Sequence, residues 1–342
     1  MKTILVVSAI AIGLSFVPSI FTAAQPPAAV SIQADKDQIN FLIGKDTVTS
    51  YVVKPAVTKP YFWPVKAPNG SETTRAWPIG KEVPGEKKDH KHHLSVWFCH
   101  GDVIPEGYNL KTKLKGIKGV DFWTEPKGHG RIVVTKVEAP KNGPQWSSIK
   151  THNEWRTTEG DNIMDEDRTI TFRNFGKAYL IVLDIDLIAS MYPITFGDTK
   201  EGTMAIRIHP NIQAEKPGIG KMQNAEGKIG EKAIWGYKSA WCDYSGKMEA
   251  GVVGVAILDD PANPFPAMWH ARDYGMMTAN PFGRDKSAKF PGVKGNSTPA
   301  KLAKGEHLHL RYGVVVHNGD AVTGNVEQVY REFVKMREAN KK

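Results

Sequence analysis

Cysteine is nearly absent from this chain of 342 residues: there are two, Cys99 and Cys242, far apart in sequence. That rules out a small disulfide-stapled scaffold. In an oxidising compartment the two could pair. Each also follows a Trp-containing apolar stretch and reads equally as a small buried hydrophobe, so spacing leaves both readings open.

Long apolar runs are absent beyond the N-terminus. The single such run, Ile4 to Val17, follows one lysine and leads into small residues, as a secretory signal does. It is shorter than the ~20 residues of a spanning helix. Thr22 and Ala24 fit the positions before a cleavage site, so residues 1–24 are expected to be a signal peptide and the mature chain to start near Gln25. The expectation is an exported protein, periplasmic or extracellular, with no membrane span once the signal is removed.

Nucleotide signatures are missing as well. There is no Gly-rich phosphate loop, no dinucleotide fingerprint after a strand and no Gly-x-Ser-x-Gly elbow, so neither a nucleotide cofactor nor a serine or cysteine nucleophile is expected. A focused basic stripe is also lacking. The net charge is +9, yet the densest cluster, Lys111, Lys113, Lys115 and Lys118, is interleaved with Thr, Leu and Gly. A nucleic-acid partner calls for a stripe or a known module; scattered lysines give solubility and attraction to anionic cell-surface polymers.

What the chain does have is strand character. Val30–Ala34, Asp46–Val53, Leu94–Cys99, Arg131–Val137, Arg168–Phe172, Ala178–Ile188, Met204–Ile208, Val252–Leu258 and Leu308–Val316 are rich in β-formers, and many alternate apolar and polar residues. Turn clusters such as Pro68-Asn-Gly and Asn318-Gly-Asp separate them. Only the C-terminus has helical spacing, with Val326, Val329, Tyr330, Phe333, Val334 and Met336 forming one apolar stripe. This predicts a helix over residues 325–339 with Asn325 as N-cap. No repeat or linker divides the chain, so residues 25–342 are expected to form one large antiparallel β-sandwich, mostly β, with a C-terminal α-helix. Gln213–Lys232 and Arg284–Lys304 read as long polar loops of the kind that border binding sites.

Four segments carry chemistry. The first, Gly85 to Asp102, holds His90, His92, His93, His100 and Asp102. With a strand over Leu94–Cys99, parity puts His92 and His100 on one sheet face and His93 on the other. Imidazoles can hold a metal or move a proton near neutral pH, although the spacing matches no standard zinc motif. The second is a turn holding Asp198, Lys200 and Glu201 between glycines, with Arg207 on the strand that follows. Its carboxylates suit an acid–base pair, a hard cation, or plain turn bonding. The third, Trp235 to Tyr244, interleaves aromatics with Lys238 and Asp243, as sugar recognition requires; Trp241 alone also reads as core. The fourth places Trp269, His270, Arg272 and Asp273 together, with Asn280 soon after. Arg272 could clamp an oxyanion or form a structural pair with Asp273.

Taken jointly, His90-Lys-His-His-Leu-Ser-Val-Trp-Phe-Cys-His-Gly-Asp, Val120-Asp-Phe-Trp, Phe196-Gly-Asp-Thr-Lys-Glu-Gly, Trp269-His-Ala-Arg-Asp-Tyr-Gly and Ala279-Asn-Pro-Phe-Gly resemble a family of exported bacterial proteins labelled methane oxygenase PmoA, over most of the mature chain. The Lys-rich stretch between Asp102 and Val120 is a departure from its pattern. The resemblance implies a fold similar to galactose-mutarotase-type sugar-binding sandwiches, and relatives encoded near sugar oxidoreductases. A carbohydrate-active enzyme follows as the leading expectation, a hydrolase, lyase or epimerase acting on a glycoside. His92, His100 and His270 would supply acid–base groups, Asp198 and Glu201 a base or metal ligands, Arg207, Arg272, Asp273 and Asn280 the substrate contacts, and Trp241 or Trp269 a stacking face. Two alternatives stand beside it: a non-catalytic carbohydrate-binding envelope protein, and an oxidoreductase with a metal on His90, His92, His93, His100 or Asp102.

Overall fold

A computed structural model describes residues 27–339; the expected signal peptide lies outside the described residues. Strands dominate and every pairing is antiparallel. The first sheet runs, in hydrogen-bonded order, Val30–Ala34, Gln38–Ile43, Asp46–Val52, Tyr61–Val65, Val96–His100, Gly202–Arg207, Met276–Asn280 and Met268–Arg272. The second runs Lys221–Asn224, Trp241–Met248, Gly251–Asp259, His307–Asn318, Ala178–Ile188, Asn162–Asn174, Trp146–Arg156 and Arg131–Val137, with Lys141–Asn142 beside Trp146–Arg156. A small third sheet joins Ala300–Leu302, Ile194–Phe196 and Val103–Pro105.

The two large sheets face each other across a shared apolar core. Phe41 of the first meets Phe172 of the second edge-on at 5.6 Å, and Phe98 meets Trp155 and Tyr312 at 6.2 and 6.3 Å. Each such buried ring contributes about 2–3 kcal/mol by area. Alternation decides what enters. Along Ala178–Ile188, Tyr179, Ile181 and Leu183 fill the core between the sheets, while Leu180 and Val182 point outward onto the C-terminal helix. A buried Glu166 carboxylate accepts from Arg168 at 2.6 Å, Asn153 at 2.9 Å and Trp155 at 2.8 Å. Using its lone pairs this way offsets the cost of a charge in the core.

The expected architecture of a mostly β, antiparallel sandwich with a C-terminal helix is what is found. The helix spans Val326–Ala339 and docks Val326, Val329 and Phe333 on the outer face of the second sheet. Asn325 precedes it in a left-handed conformation (φ 57°), its carbonyl accepting from Val329 N at 3.0 Å. The two segments read as long loops each contain a strand, Lys221–Asn224 and Ala300–Leu302. Cys99 and Cys242 are buried, unpaired and on different sheets.

The outer face of the first sheet positions the site. Register places Trp97, Ala205, Thr278 and His270 in one cross-strand row, and Arg207, Met276 and Arg272 in the next. The intervening row, Val96, Ile206, Met277 and Ala271, has the opposite parity and belongs to the core, as does the row beyond Trp97, made of Phe98, Met204, Ala279 and Trp269.

Candidate functional site

The site begins with one buried arginine. Arg75 donates through Nη1 to the carbonyls of Lys87 (3.1 Å) and Asp89 (2.9 Å) and to Asp89 Oδ1 (2.8 Å). Its Nη2 donates to the carbonyls of His90 (2.8 Å) and His93 (3.2 Å). Burial and the neighbouring Arg207 pull its pKa down to about 10, so it stays charged at neutral pH. One guanidinium thus ties down the backbone of residues 87–93, where His90 takes a positive φ of 40°.

Held this way, the three histidines converge. One ring nitrogen from each of His90, His92 and His93 lies within 4.8 Å of the other two. The rings extend into a ladder across the sheet face: His93 stacks on Trp97 at 5.3 Å, His90 on His93 at 4.8 Å, and Tyr274 on His90 at 6.0 Å. His92 stands edge-on to His93 at 4.6 Å. Burial lowers all three pKa values, with Lys59 and His90 adding to the effect on His92, which falls to about 3. All three rings are therefore neutral at neutral pH.

The parity expected for this segment is corrected. The strand starts at Val96, after Ser95 at φ 60°, so His92 and His93 precede it in a tight loop and share a cluster instead of opposite faces. His100, at the far end of the strand, is buried against Phe196 and Phe282 with Nε2 on the Gly197 carbonyl at 2.9 Å.

Arg207 connects the loop to the sheet. It donates to Asp89 Oδ1 at 2.9 Å and to His93 Nδ1 at 3.3 Å, and lies over Tyr274 at 4.6 Å. Arg272 lies 5.9 Å from the same ring, with Nε 3.2 Å from Glu231.

Beside these cations sit a carboxyl and an imidazole, Glu201 and His270. The Glu201 carboxyl accepts no hydrogen bond from the described residues, and burial raises its pKa against the opposing pull of Lys200 and Arg272. Gly101 makes the room: a Cβ there would fall 3.0 Å from Glu201 Cβ and 2.9 Å from its carbonyl oxygen. His270 is 3% exposed, with Nδ1 2.9 Å from the Lys200 carbonyl. A carbonyl only accepts, so Nδ1 carries the hydrogen and Nε2 is left with a free lone pair. Burial lowers its pKa to about 3, with Lys200, Arg272 and His90 in support.

Other residues singled out from the sequence are placed elsewhere. Trp269 is buried in the core, donating to the Ser239 carbonyl at 3.1 Å. Trp241 lies under the C-terminal helix, donating to Glu327 at 3.0 Å. Trp269 is fully buried and has no face for stacking a ligand, whereas Trp241 lines a cavity of about 350 Å3 with Gln223 and Arg331, away from the histidine cluster. Asp198 accepts the backbone N–H groups of Arg284, Ser287 and Ala288. Asn280 accepts from Phe282 and Gly283. Asp273 exchanges hydrogen bonds with Glu231, and Asp102 accepts from Lys118 and Gly119. These four brace loops, and neither His100 nor Asp102 joins the histidine cluster. The exposed part of the aromatic segment, Tyr237 and Lys238, lines a separate cavity of about 550 Å3 with Asp259 and Tyr330.

Arg75, Asp89 and Tyr274 were not marked by the sequence. Arg75 has no local signature because its partners lie 12 to 18 residues downstream. Tyr274, two residues after Arg272, was within reach as an aromatic close to a candidate cation.

The class these features define is an antiparallel β-sandwich with a polar, imidazole-rich site on the outer face of one sheet. Residues 38–331 match a family of unknown function, DUF6807, and the chain belongs to that family. Solved structures similar to it include a galactose mutarotase-like protein from Clostridium acetobutylicum (10% identity, TM-score 0.36, covering 86% of this chain and 99% of that one). Galactose 1-epimerase from Lactobacillus acidophilus is another (7% identity, TM-score 0.36, covering 85% and 98%). A third is the α-galactosidase AgaA from Geobacillus stearothermophilus (10% identity, TM-score 0.35, covering 80% of this chain). The chain spans 40% of that enzyme, and 41% of a galactosidase domain from an α-galactosidase–sucrose kinase. No curated protein matches it.

Proposed function

We propose that this protein acts on a carbohydrate by acid–base chemistry, with Glu201 as the acid and His270 Nε2 as the base. The observation that carries this reading is a pair of opposite displacements in two groups that both feel the charges of Lys200 and Arg272. Glu201 is a carboxyl with a raised pKa and no hydrogen-bond partner, while His270 is a neutral imidazole whose free lone pair is fixed by the Lys200 carbonyl. Environments that drive two titratable groups in this way assign one as acid and the other as acceptor. Arg272 and Arg207 flank the Tyr274 ring and supply donors for ligand oxygens. A pyranose needs an aromatic surface for its C–H side and polar groups around its hydroxyls, and Tyr274 with the two arginines is the part of the outer sheet face that supports this reading. Hydrolysis, elimination and epimerisation of a glycoside all use such a pair, one group taking a proton as the other gives one.

The test is product analysis after incubation with a panel of plain and 3-keto glycosides. Cleavage or isomerisation of at least one member is expected. Glu201→Gln should lower that turnover by about 100-fold or more while keeping the melting temperature, since no hydrogen bond to the carboxyl is lost. Full turnover by the variant removes Glu201 from the chemistry. Thermal stabilisation by a saccharide that emerges unchanged would make the site a binding site only. Export is part of the proposal, supported by the N-terminal apolar run. Sequencing the protein recovered outside the cytoplasm should give a start near Gln25.

A further inference from the structure

The histidine cluster goes beyond the acid–base pair. We infer that His90, His92 and His93 form a binding site for one divalent transition metal of the zinc type, held by three imidazoles with the remaining coordination open to solvent or ligand.

Three observations point there. The first is convergence, with one ring nitrogen of each histidine within 4.8 Å of the other two and no carboxylate or thiol in the group. The second is the state of those nitrogens compared with the rest of the chain. His100, His129, His209 and His270 each engage a backbone group. His152, His307, His309 and His317 each engage a carboxylate. His90 and His92 have no hydrogen-bond partner among the described residues, and His93 has only the 3.3 Å contact from Arg207. The unpartnered imidazoles of this protein are thus gathered at one point. The third is the support beneath them: Arg75 is buried and spent on the carbonyls of residues 87, 89, 90 and 93, which fixes the loop in this conformation before any ligand arrives. Ring stacking on Trp97 alone would be served by any aromatic residue and does not require three imidazoles at this spacing.

An all-nitrogen set selects zinc, copper, nickel or cobalt over magnesium and calcium, which take oxygen ligands. Three protein ligands with a position left open is also the arrangement of catalytic zinc sites, whereas structural ones are closed by four. Arg207 yields when His93 gives its lone pair to a metal, because its shorter bond to Asp89, at 2.9 Å, remains.

The experiment is calorimetric titration of ZnCl2 into chelator-stripped mature protein, with MgCl2 as control, repeated on the double variant His90→Gln/His92→Gln. Neither substitution removes a hydrogen bond, and since the ring contacts of His90 and His92 are lost, a cooperative melt of the variant in chelator is the check that it is folded. Saturable zinc binding near one per chain, no magnesium binding, and affinity weakened by more than about 100-fold in the variant are expected. Absence of saturable binding by the wild type, or equal binding by the folded variant, overturns the inference. Glu201→Gln should bind zinc as the wild type does, so a failed glycoside panel and a failed metal site give separate results.

Discussion

Glu201 leaves its carboxyl free of hydrogen bonds from the described residues, and His270 leaves Nε2 free while Nδ1 is held by the Lys200 carbonyl. Both were legible in the sequence because their signals are local: Glu201 sits in a turn closed by Gly202, and His270 follows Trp269 within a run of candidate groups. Asp198, Asp273 and Asn280 carried similar local signals, yet backbone N–H groups claim them, and a sequence does not show which N–H groups lie nearby. Trp269 and His270 are adjacent, and strand parity sends one to the core and the other to the site. His100 offers a residue-scale test. Burial lowers its pKa to about 4, against about 6.5 in an unfolded chain. Below pH 6.5 the unfolded state therefore takes up a proton that the folded state refuses, and stability falls with pH until about pH 4. The loss from this one group should be about 2 kcal/mol between pH 7 and pH 5. Urea unfolding of wild type and His100→Gln checks it: the variant, whatever its absolute stability, should lose less than the wild type over that interval. Parallel losses would mean that the ring is not kept neutral by burial.

At the scale of elements, two pieces carry the site and the frame, the loop over residues 87–93 and the helix Val326–Ala339. The helix was readable because one face alone is buried, which leaves a 3.6-residue period in the sequence. Strands such as Gly202–Arg207 and Met276–Asn280 are buried on both faces, so their polar and apolar residues do not alternate and their ends are hard to place. The histidine loop has no period at all; its shape comes from Arg75. Replacing Arg75 with Met should cost about 3–5 kcal/mol through the carbonyls and carboxylate left unpaired. It should also speed hydrogen exchange in residues 87–93 by tenfold or more, and unchanged exchange would show that the loop holds itself. On the helix, Phe333 is buried beneath Arg311 at 4.0 Å and its neighbour Arg337 pairs with Asp260 at 2.7 Å. Phe333→Ala should destabilise by about 3–5 kcal/mol, measured by denaturant unfolding.

In the whole molecule the two outer faces of the sandwich are used differently. The helix covers that of the second sheet, while the first keeps its centre for Arg207, Arg272, His270 and the ring ladder under a loop pinned by a buried cation. The alternation of side chains along a strand makes this possible, since each central strand contributes one residue to the core and the next to the site. Composition and alternation were enough to anticipate the sandwich. They were not enough to bring segments near residues 75, 90, 201, 207 and 270 to one place, because that depends on the order of strands in the sheet, which has no local trace. The most direct check of the acid–base pair is the pH dependence of kcat/KM on whichever saccharide is turned over, for wild type and Glu201→Gln. Wild-type activity should fall as pH rises through a pKa above the ordinary glutamate value of 4.5. That limb should vanish in the variant, along with most of the rate. An identical limb in both proteins would mean that the titrating acid is another group, and Glu201 would lose its role.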